Sequence, residues 1–383
     1  MIPLSVPNFE GNELKYVTDA VAQGWVSTGG AYINKMEEMI SDFVKVPKAV
    51  ACQSGTAALH LSLMECGVQA GELVIAPTLT FIAAVNPICY MGAEPVFMDC
   101  DDSLCMDPDK LEEFCKKECT LTEDGLLHSA TGKRIRAMVV VHVFGNMADM
   151  ERIMGIAQAY QLKVIEDATE ALGTRYIAGK YAGKYAGTIG DFGAYSFNGN
   201  KIITTGGGGM VVSNNVDALN HIQYISTQAK DDPLFYIHDE VGYNYRMTNV
   251  QAAIGVAQME VLSEFIERKN KNYDIYQREL ARFEKGELKT FREDIMSNKW
   301  FYALQLFDEN IDMKELVNKL GDAGVQTRTI WGLIHEQKPY QNCVAYKIEK
   351  AKMYSECILN IPCSTNLKEE EIVDVCAVLR KCV

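Results

Sequence analysis

Lys201 stands in a setting that few surface lysines share. In SFNGNKIITTGGGGM (196–210) it follows Ser196 by five residues, precedes a run of four glycines, and has almost no other charge nearby. A lysine held away from water gives up its proton more readily, and the free amine attacks an aldehyde to form a Schiff base. Spacing excludes two other chemistries. A Walker lysine needs GxxxxGK followed by Ser or Thr, whereas here the glycines stand two and eight residues before the lysine and Ile202 follows. The glycines 206–209 also lack GxGxxG spacing after a strand, which removes a dinucleotide site. The remaining competitor is a solvated loop lysine.

Two further motifs decide what such an amine would meet. CQSGTAALHLSL (52–63) ends a strand and starts a helix within two residues. Gly55 there allows close backbone approach, and Thr56 adds a hydroxyl beside helix N–H groups that suit a phosphate. An ordinary Ser/Thr N-cap is the plain alternative. In VIEDATEALG (164–173), Asp167 ends an apolar strand and points into the same crevice. A carboxylate so placed needs a cation, and a protonated pyridine nitrogen is a suitable one. Asp167 could equally cap the next helix, and Glu170 lies at capping-box spacing from it. A phosphate for Gly55, Thr56 and Ser196, a ring nitrogen for Asp167 and an aldehyde for Lys201 together describe pyridoxal phosphate. Phe81 in PTLTFIAA, after another strand end, could cover the ring or simply pack in the core.

Apolar runs at 48–53, 72–77, 94–99, 135–142 and 162–167 predict strands, with helices between them at 56–66, 80–91, 107–119 and 149–161. Strands apolar throughout and joined by helix-length segments mean a mostly parallel sheet covered on both faces. The runs 192–197 and 209–213 add strands, and polar 118–134 reads as an inserted loop or hairpin. From 248, more than thirty residues of helical period without proline predict a helix bridging two domains. A strand in NKWFYALQLF, a helix in MKELVNKLGDAG, a strand at 325–330 and a final helix follow. The division expected is a large α/β domain with an N-terminal arm at 1–247, then the interdomain helix and a small α+β domain at 248–383.

Composition narrows the class. The chain has 383 residues, 48% hydrophobic, with a net charge of −14. That balance argues against a nucleic-acid or acidic-membrane surface binder. No basic-then-apolar leader opens the sequence, and the uncharged stretch 73–93 is broken by Pro77, Asn86 and Pro87, so it predicts a strand and short helix rather than a membrane span. Twelve cysteines without a CxxC pair read as buried reduced thiols of a cytoplasmic protein, not a zinc site.

The ordered motifs GWVSTGG (24–30), SGTAALHL (54–61), PTLTF (77–81), VHVFGN (141–146), EDATEALG (166–173), GDFGAYSFNGNK (190–201), GGGGM (206–210), GYNYRMTNVQAAIG (242–255) and TRTIWGLIHEQKPY (327–340) resemble the DegT/StrS family of pyridoxal-phosphate sugar aminotransferases along nearly the whole chain. The resemblance implies fold type I, the aspartate aminotransferase architecture. It implies Lys201 as the lysine that holds the cofactor aldehyde, Asp167 on the ring nitrogen, Gly55, Thr56 and Ser196 on the phosphate, Phe81 over the ring, and Glu170 beside the ring hydroxyl. Asn244 matches a residue that a neighbouring subunit lends to the phosphate, so a homodimer with shared sites is expected. Trp25, Ser27, Thr28 and His335 match sugar-contacting positions, His335 reading equally well as a core or surface histidine, while Lys184, Arg246 and Arg328 are cations that could meet a diphosphate or simply be solvated or in ion pairs. Lys201, where some relatives carry His and dehydrate, implies transamination. The wording around it and the 118–134 insert resemble the branch that uses glutamate to aminate C4 of nucleotide-linked 4-keto-6-deoxy-hexoses, of the UDP-4-keto-6-deoxy-GlcNAc type, on routes to sugars such as legionaminic acid. Amination at C3 or of a cyclitol ketone, and a cofactor-binding regulator without turnover, are the alternatives.

Overall fold

The computed structural model describes the chain except Pro233 and Glu309. Up to residue 213 it forms the strands β1 (Lys48–Cys52), β2 (Leu73–Pro77), β3 (Glu94–Met98), β4 (Cys119–Thr122), β5 (Gly125–His128), β6 (Arg134–Val141), β7 (Lys163–Asp167), β8 (Arg175–Tyr176), β9 (Phe192–Ser196) and β10 (Gly209–Ser213). The main sheet runs β1-β10-β9-β7-β6-β2-β3. Strands β9, β7, β6, β2 and β3 are mutually parallel, and β10 runs antiparallel to both its neighbours. Every residue of β2 is buried, because helices cover both faces and no alternation is needed.

Those helices are α1 (Glu13–Ala22), α2 (Ala31–Val44), α3 (Gly55–Glu65), α4 (Asn86–Tyr90), α5 (Pro108–Lys117), α6 (Met150–Tyr160), α7 (Val216–Ser226) and α8 (Asn249–Leu280). The helix expected over 80–91 is instead a 3₁₀ turn (Ile82–Ala84) followed by the five-residue α4. Pro87, in the first turn of α4, supplies no N–H to continue a helix running on from residue 82, which divides the segment. The 118–134 insert folds as the β4–β5 hairpin, and β5 pairs with the start of β6 (Leu126 opposite Ile135). It therefore lies at the sheet edge away from the strand carboxyl ends. Among the cysteines, Cys89 is exposed rather than buried, while Cys52, Cys66 and Cys376 are in the core.

The expected division at 247/248 falls at the N-cap of α8. Thr248 accepts from the Gln251 amide, and the Gln251 side chain accepts from the Thr248 amide at 3.1 Å. This capping box starts a 32-residue helix, about 48 Å long at 1.5 Å per residue. After it come β11 (Gly286–Leu288), β12 (Ile295–Met296), β13 (Tyr302–Leu306), α9 (Met313–Asp322), β14 (Arg328–Thr329), β15 (Val344–Tyr346), α10 (Lys350–Cys357), β16 (Ile358–Ile361) and α11 (Glu369–Cys382). An antiparallel sheet of order β11-β13-β16-β14 is the small domain's core.

Two segments cross the expected boundary. Strand β15 pairs parallel to β3 and so extends the large sheet. The N-terminal arm lies on the small domain: Ile2 donates to the Gly324 carbonyl at 2.7 Å, and Leu4 accepts from the Cys363 amide at 2.8 Å.

A buried carboxylate locks the same boundary. Asp99, following β3, accepts from the amides of Glu349, Lys350 and Ala351 at 2.9, 2.9 and 2.7 Å, and from Lys110 Nζ at 2.6 Å. It thus satisfies the first N–H groups of α10. Asp99→Ala leaves those donors and the lysine unpaired, and is expected to lower stability by about 3 kcal/mol, read as a shift of the urea midpoint.

Candidate active site

The carboxyl ends of the parallel strands meet at one edge of the large sheet, where a cavity of about 570 Å³ opens toward the small domain. Gly55, Thr56, Phe81, Asp167, Glu170, Ser196, Lys201 and Arg328 all line it. These are five segments of sequence, four of them brought together because the strands of the large sheet end at one edge, with Arg328 added by the small sheet.

Lys201 lies on a loop between β9 and β10, held by its amide donating to the Asn198 carbonyl at 3.0 Å. Its Nζ stands 3.7 Å from Glu170 Oε1 and 4.3 Å from the centroid of the Trp300 ring. The side chain is 12% exposed, so the solvated-lysine reading does not apply.

Asp167 closes β7 and is buried; its Oδ1 accepts from the Thr169 amide at 3.1 Å, and it makes no ion pair among the described residues. Burial pushes its carboxyl above the usual range, against the Thr169 bonds and the nearby Lys201. Glu170 is pushed up to about 7, by burial first, with Lys201 and the Phe144 amide (2.8 Å from Oε2) pulling the other way. Phe144 sits in left-handed backbone at φ +57°, which turns its N–H onto that carboxylate.

At the start of α3, Ser54 caps by accepting from the Ala57 amide at 3.0 Å, so Ser54, not Thr56, is the N-cap. Thr56 is left free to face the cavity. A Cβ on Gly55 would come within 2.9 Å of the Ser196 Cβ and 3.0 Å of Thr169 Cγ2, so the close approach there needs glycine.

The remaining expected residues lie elsewhere in this chain. Asn244, Trp25, Ser27 and Thr28 are exposed and outside the cavity lining. Arg246 does not reach the cavity either: it is buried, with Nη1 2.5 Å from Glu37 Oε1 and 3.3 Å from the Ala51 carbonyl. An ion pair between α8's approach and α2 is therefore its role here, in place of a diphosphate contact. His335 is hydrogen-bonded by Nδ1 to Thr78 Oγ1 at 2.7 Å, behind the lining.

Sequence reasoning missed Trp300, Phe301, Trp331 and Asn360, which form the small-domain wall. The aromatic pair in NKWF, just ahead of β13, and the Trp three residues after Arg328 were the signals available. Asn360 is 4% exposed and its Oδ1 has no hydrogen-bond partner among the described residues. His142 was also missed. It donates or accepts at 2.8 Å with Glu166, whose carboxylate takes the amides of Gly187, Ile189 and Gly190, and the pair underpins the strand end that carries Asp167.

These residues fit pyridoxal phosphate: an uncompensated buried carboxylate for a ring cation, a glycine-opened helix start for a phosphate, and an amine between them. A parallel sheet with one reversed strand next to its edge, capped by a small antiparallel domain, is fold type I of the pyridoxal-phosphate enzymes. Two solved structures carry it over the whole chain. PseC of Helicobacter pylori, an aminotransferase involved in the biosynthesis of pseudoaminic acid, superposes at a TM-score of 0.88 with 20% identity over 100% of this chain and 98% of that one. Spr1654 of Streptococcus pneumoniae in its PLP form gives 0.87 with 23% identity, over the same 100% and 98%. The sequence is more specific. The model of the DegT/DnrJ/EryC1/StrS aminotransferase family matches residues 7–380. GDP-perosamine synthase of Escherichia coli O157:H7 is 35% identical over 98% of this chain and 96% of that protein. UDP-4-amino-4,6-dideoxy-N-acetyl-beta-L-altrosamine transaminase of Campylobacter jejuni strain 81-176 is 29% identical over 97% and 96%. The chain belongs to the DegT/DnrJ/EryC1/StrS aminotransferase family and is an enzyme.

The raised Glu170 carboxyl has a measurable consequence in the cofactor-free protein. Between about pH 4.5 and about 7 the unfolded chain releases this proton while the folded chain keeps it, so stability falls as pH rises through that window. Glu170→Gln cannot titrate. The stability of wild type relative to Glu170→Gln is expected to drop by about 3 kcal/mol from pH 4.5 to 7.5 in urea titrations. A flat difference would mean that the carboxyl is unperturbed.

Proposed function

We propose that this aminotransferase moves an amino group from glutamate to the C4 keto carbon of a nucleotide-linked 4-keto-6-deoxy-hexose. The observation that carries the reading is the Lys201 amine set between the buried Glu170 carboxyl and the Trp300 face, beside the unpaired Asp167. Pyridoxal phosphate, when bound, supplies an electron sink that lets a bond to the donor α-carbon break.

The chain's own groups divide the rest of the work. Asp167 keeps a proton on the ring nitrogen through its negative charge. Gly55, Thr56 and Ser196 hold the phosphate, and Phe81 covers one ring face. Glu170, poised near neutrality, holds or gives a proton at the ring hydroxyl. Lys201 takes the proton from the donor α-carbon and returns it on the cofactor side, acting as both nucleophile and base. Arg328 makes no ion pair among the described residues and stands at the cavity wall beside Asn360, its cross-strand neighbour; a carboxylate or diphosphate suits the two.

The active enzyme is a homodimer with shared sites. Trp25 (59% exposed), and Leu234, Phe235, Tyr236 and Val241 in the segment leading to the exposed Asn244, leave apolar surface open, and a second copy would cover it and bring Asn244 to the partner's cofactor phosphate. Trp25, Ser27 and Thr28 would then border a sugar, with His335 held by Thr78 to one side. The acidic balance and the unpaired cysteines support work in the cytoplasm, with neither nucleic acid nor membrane as partner.

The C4 position is supported by the name of the Campylobacter relative, a 4-amino-4,6-dideoxy sugar transaminase. That name also supports uridine diphosphate as the carrier. Guanosine diphosphate is the second reading, favoured by the greater identity to GDP-perosamine synthase.

Borohydride treatment of the pyridoxal-phosphate-loaded protein is expected to fix the cofactor on Lys201, and Lys201→Ala to retain the fold yet take no label. Label on another lysine in the peptide map would remove the assignment. Supplying glutamate with UDP- and GDP-linked 4-keto-6-deoxy sugars, a 3-keto sugar nucleotide and a cyclitol ketone is expected to give an amine at C4, identified by NMR. Conversion of a 3-keto or cyclitol substrate alone overturns the C4 reading. No spectral change with glutamate overturns turnover altogether and favours a cofactor-binding regulator.

A further inference from the structure

Lys269 is the most unusual charge in the molecule outside the cavity lining. It lies in the second half of α8, is 3% exposed, and makes no ion pair among the described residues. Its ammonium ends on two main-chain carbonyls, Trp300 at 2.6 Å and Cys363, with the Tyr302 ring 4.7 Å away. The Tyr302 hydroxyl in turn donates to the Lys269 carbonyl at 2.7 Å. Burying an ammonium without a carboxylate is unfavourable, and burial accordingly pushes Lys269 below the ordinary lysine range. A methionine of similar length would fill the same space without that penalty.

What the ammonium does is fix Trp300. The Trp300 amide donates to Asn298 Oδ1 at 3.0 Å, and its carbonyl is held by Lys269. Its indole Nε1 donates to the carbonyl of Asn200 at 2.7 Å, the residue next to Lys201, and its ring lies 4.3 Å from Lys201 Nζ. The ring is also stacked on Phe301, 4.0 Å apart and 7° from parallel. Trp300 therefore grips Lys201 at both ends, at the backbone beside it and at the amine. Neither helix nor strand carries Lys201, so a grip from outside the loop is the constraint on where the amine sits.

We propose that Lys269 is a positioning residue for Lys201: by anchoring the Trp300 backbone it sets the indole that aims the reactive amine. The proposal rests on the role assigned to Lys201 above. A displacement of about 1 Å in a reacting group costs on the order of 100-fold in rate, so loosening this anchor should be felt at the chemistry and not only in stability.

The test uses full-length protein loaded with pyridoxal phosphate, with Lys269→Met, Trp300→Phe and the double variant. Trp300→Phe keeps an aromatic face over the amine and removes the N–H bond to Asn200. Three readouts apply: the visible circular-dichroism band of the bound cofactor, the rate at which borohydride fixes it to Lys201, and the single-turnover rate with glutamate. Lys269→Met is expected to weaken the dichroic band and slow both rates at least tenfold, with glutamate affinity changed less than threefold. Trp300→Phe should do the same, and the double variant should be no worse than the poorer single one, since both act along one route. Wild-type spectrum and rates in Lys269→Met, or losses that multiply in the double variant, overturn the proposal. Should Lys269→Met not fold, Trp300→Phe decides: an unchanged band and labelling rate overturn it as well. Dichroism and borohydride labelling need no amino donor, so they judge the positioning role separately from the donor and the sugar.

Discussion

Two buried carboxyls and one amine share a single recess, and most of the surrounding architecture serves to keep them there. Asp167 and Glu170 are both nearly inaccessible, and Lys201 is ion-paired with Glu170 and close enough for its charge to act on Asp167. Such a cluster is unfavourable in isolation, because burial opposes charge on every member. It persists because the carboxyls are carried by the rigid end of β7 and the turn after it, themselves tied down by the His142–Glu166 pair. An arrangement so poorly balanced on its own is well prepared for a cationic aromatic ring. The site's electrostatics are set before any ligand arrives.

Parallel topology turns this local strain into a site. In β2, β6, β7 and β9 the chain always exits at the same edge, so Phe81, Asp167, Ser196 and the start of α3 are neighbours although far apart in sequence. The opposite edge takes the β4–β5 hairpin, which can vary without disturbing the chemistry. The small domain supplies the remaining wall through Trp300, Trp331, Arg328 and Asn360.

Much of this was legible in the residues, for identifiable reasons. Core strands such as LVIA (73–76) and MVVV (138–141) and the long period of α8 announce themselves because burial on both faces, or on one helical stripe, leaves a simple pattern. Gly55 and Asp167 were readable as cavity-facing because strand ends in such a sheet point one way, and Lys201 because so little charge surrounds it in the sequence. Other features were not. The shortness of β14 and the existence of β15 and β16 depend on pairing with distant strands, and a two- to four-residue run carries too little pattern to reveal a partner. Arg246 could not be told from a ligand-binding arginine, since its engagement by Glu37 exists only once α2 has packed. Trp300 and Lys269 were hidden for the same reason: one reads as core aromatic, the other as a solvated helix lysine, until three segments are brought together.

The N-terminal arm has a bearing on how the chain is made. Leu4 finds its hydrogen-bond partner at Cys363, and the carbonyl of that same cysteine is one of the two that hold Lys269. During synthesis the segment around Leu4 has no partner until the segment around Cys363 has followed it. The large sheet can assemble long before, with its carboxylates in place, but the aromatic floor beneath Lys201 acquires its full support only when these two segments have met. Until the Cys363 segment is in place, the strand-end carboxylates can already be set while Lys269 still lacks one of its two carbonyl partners.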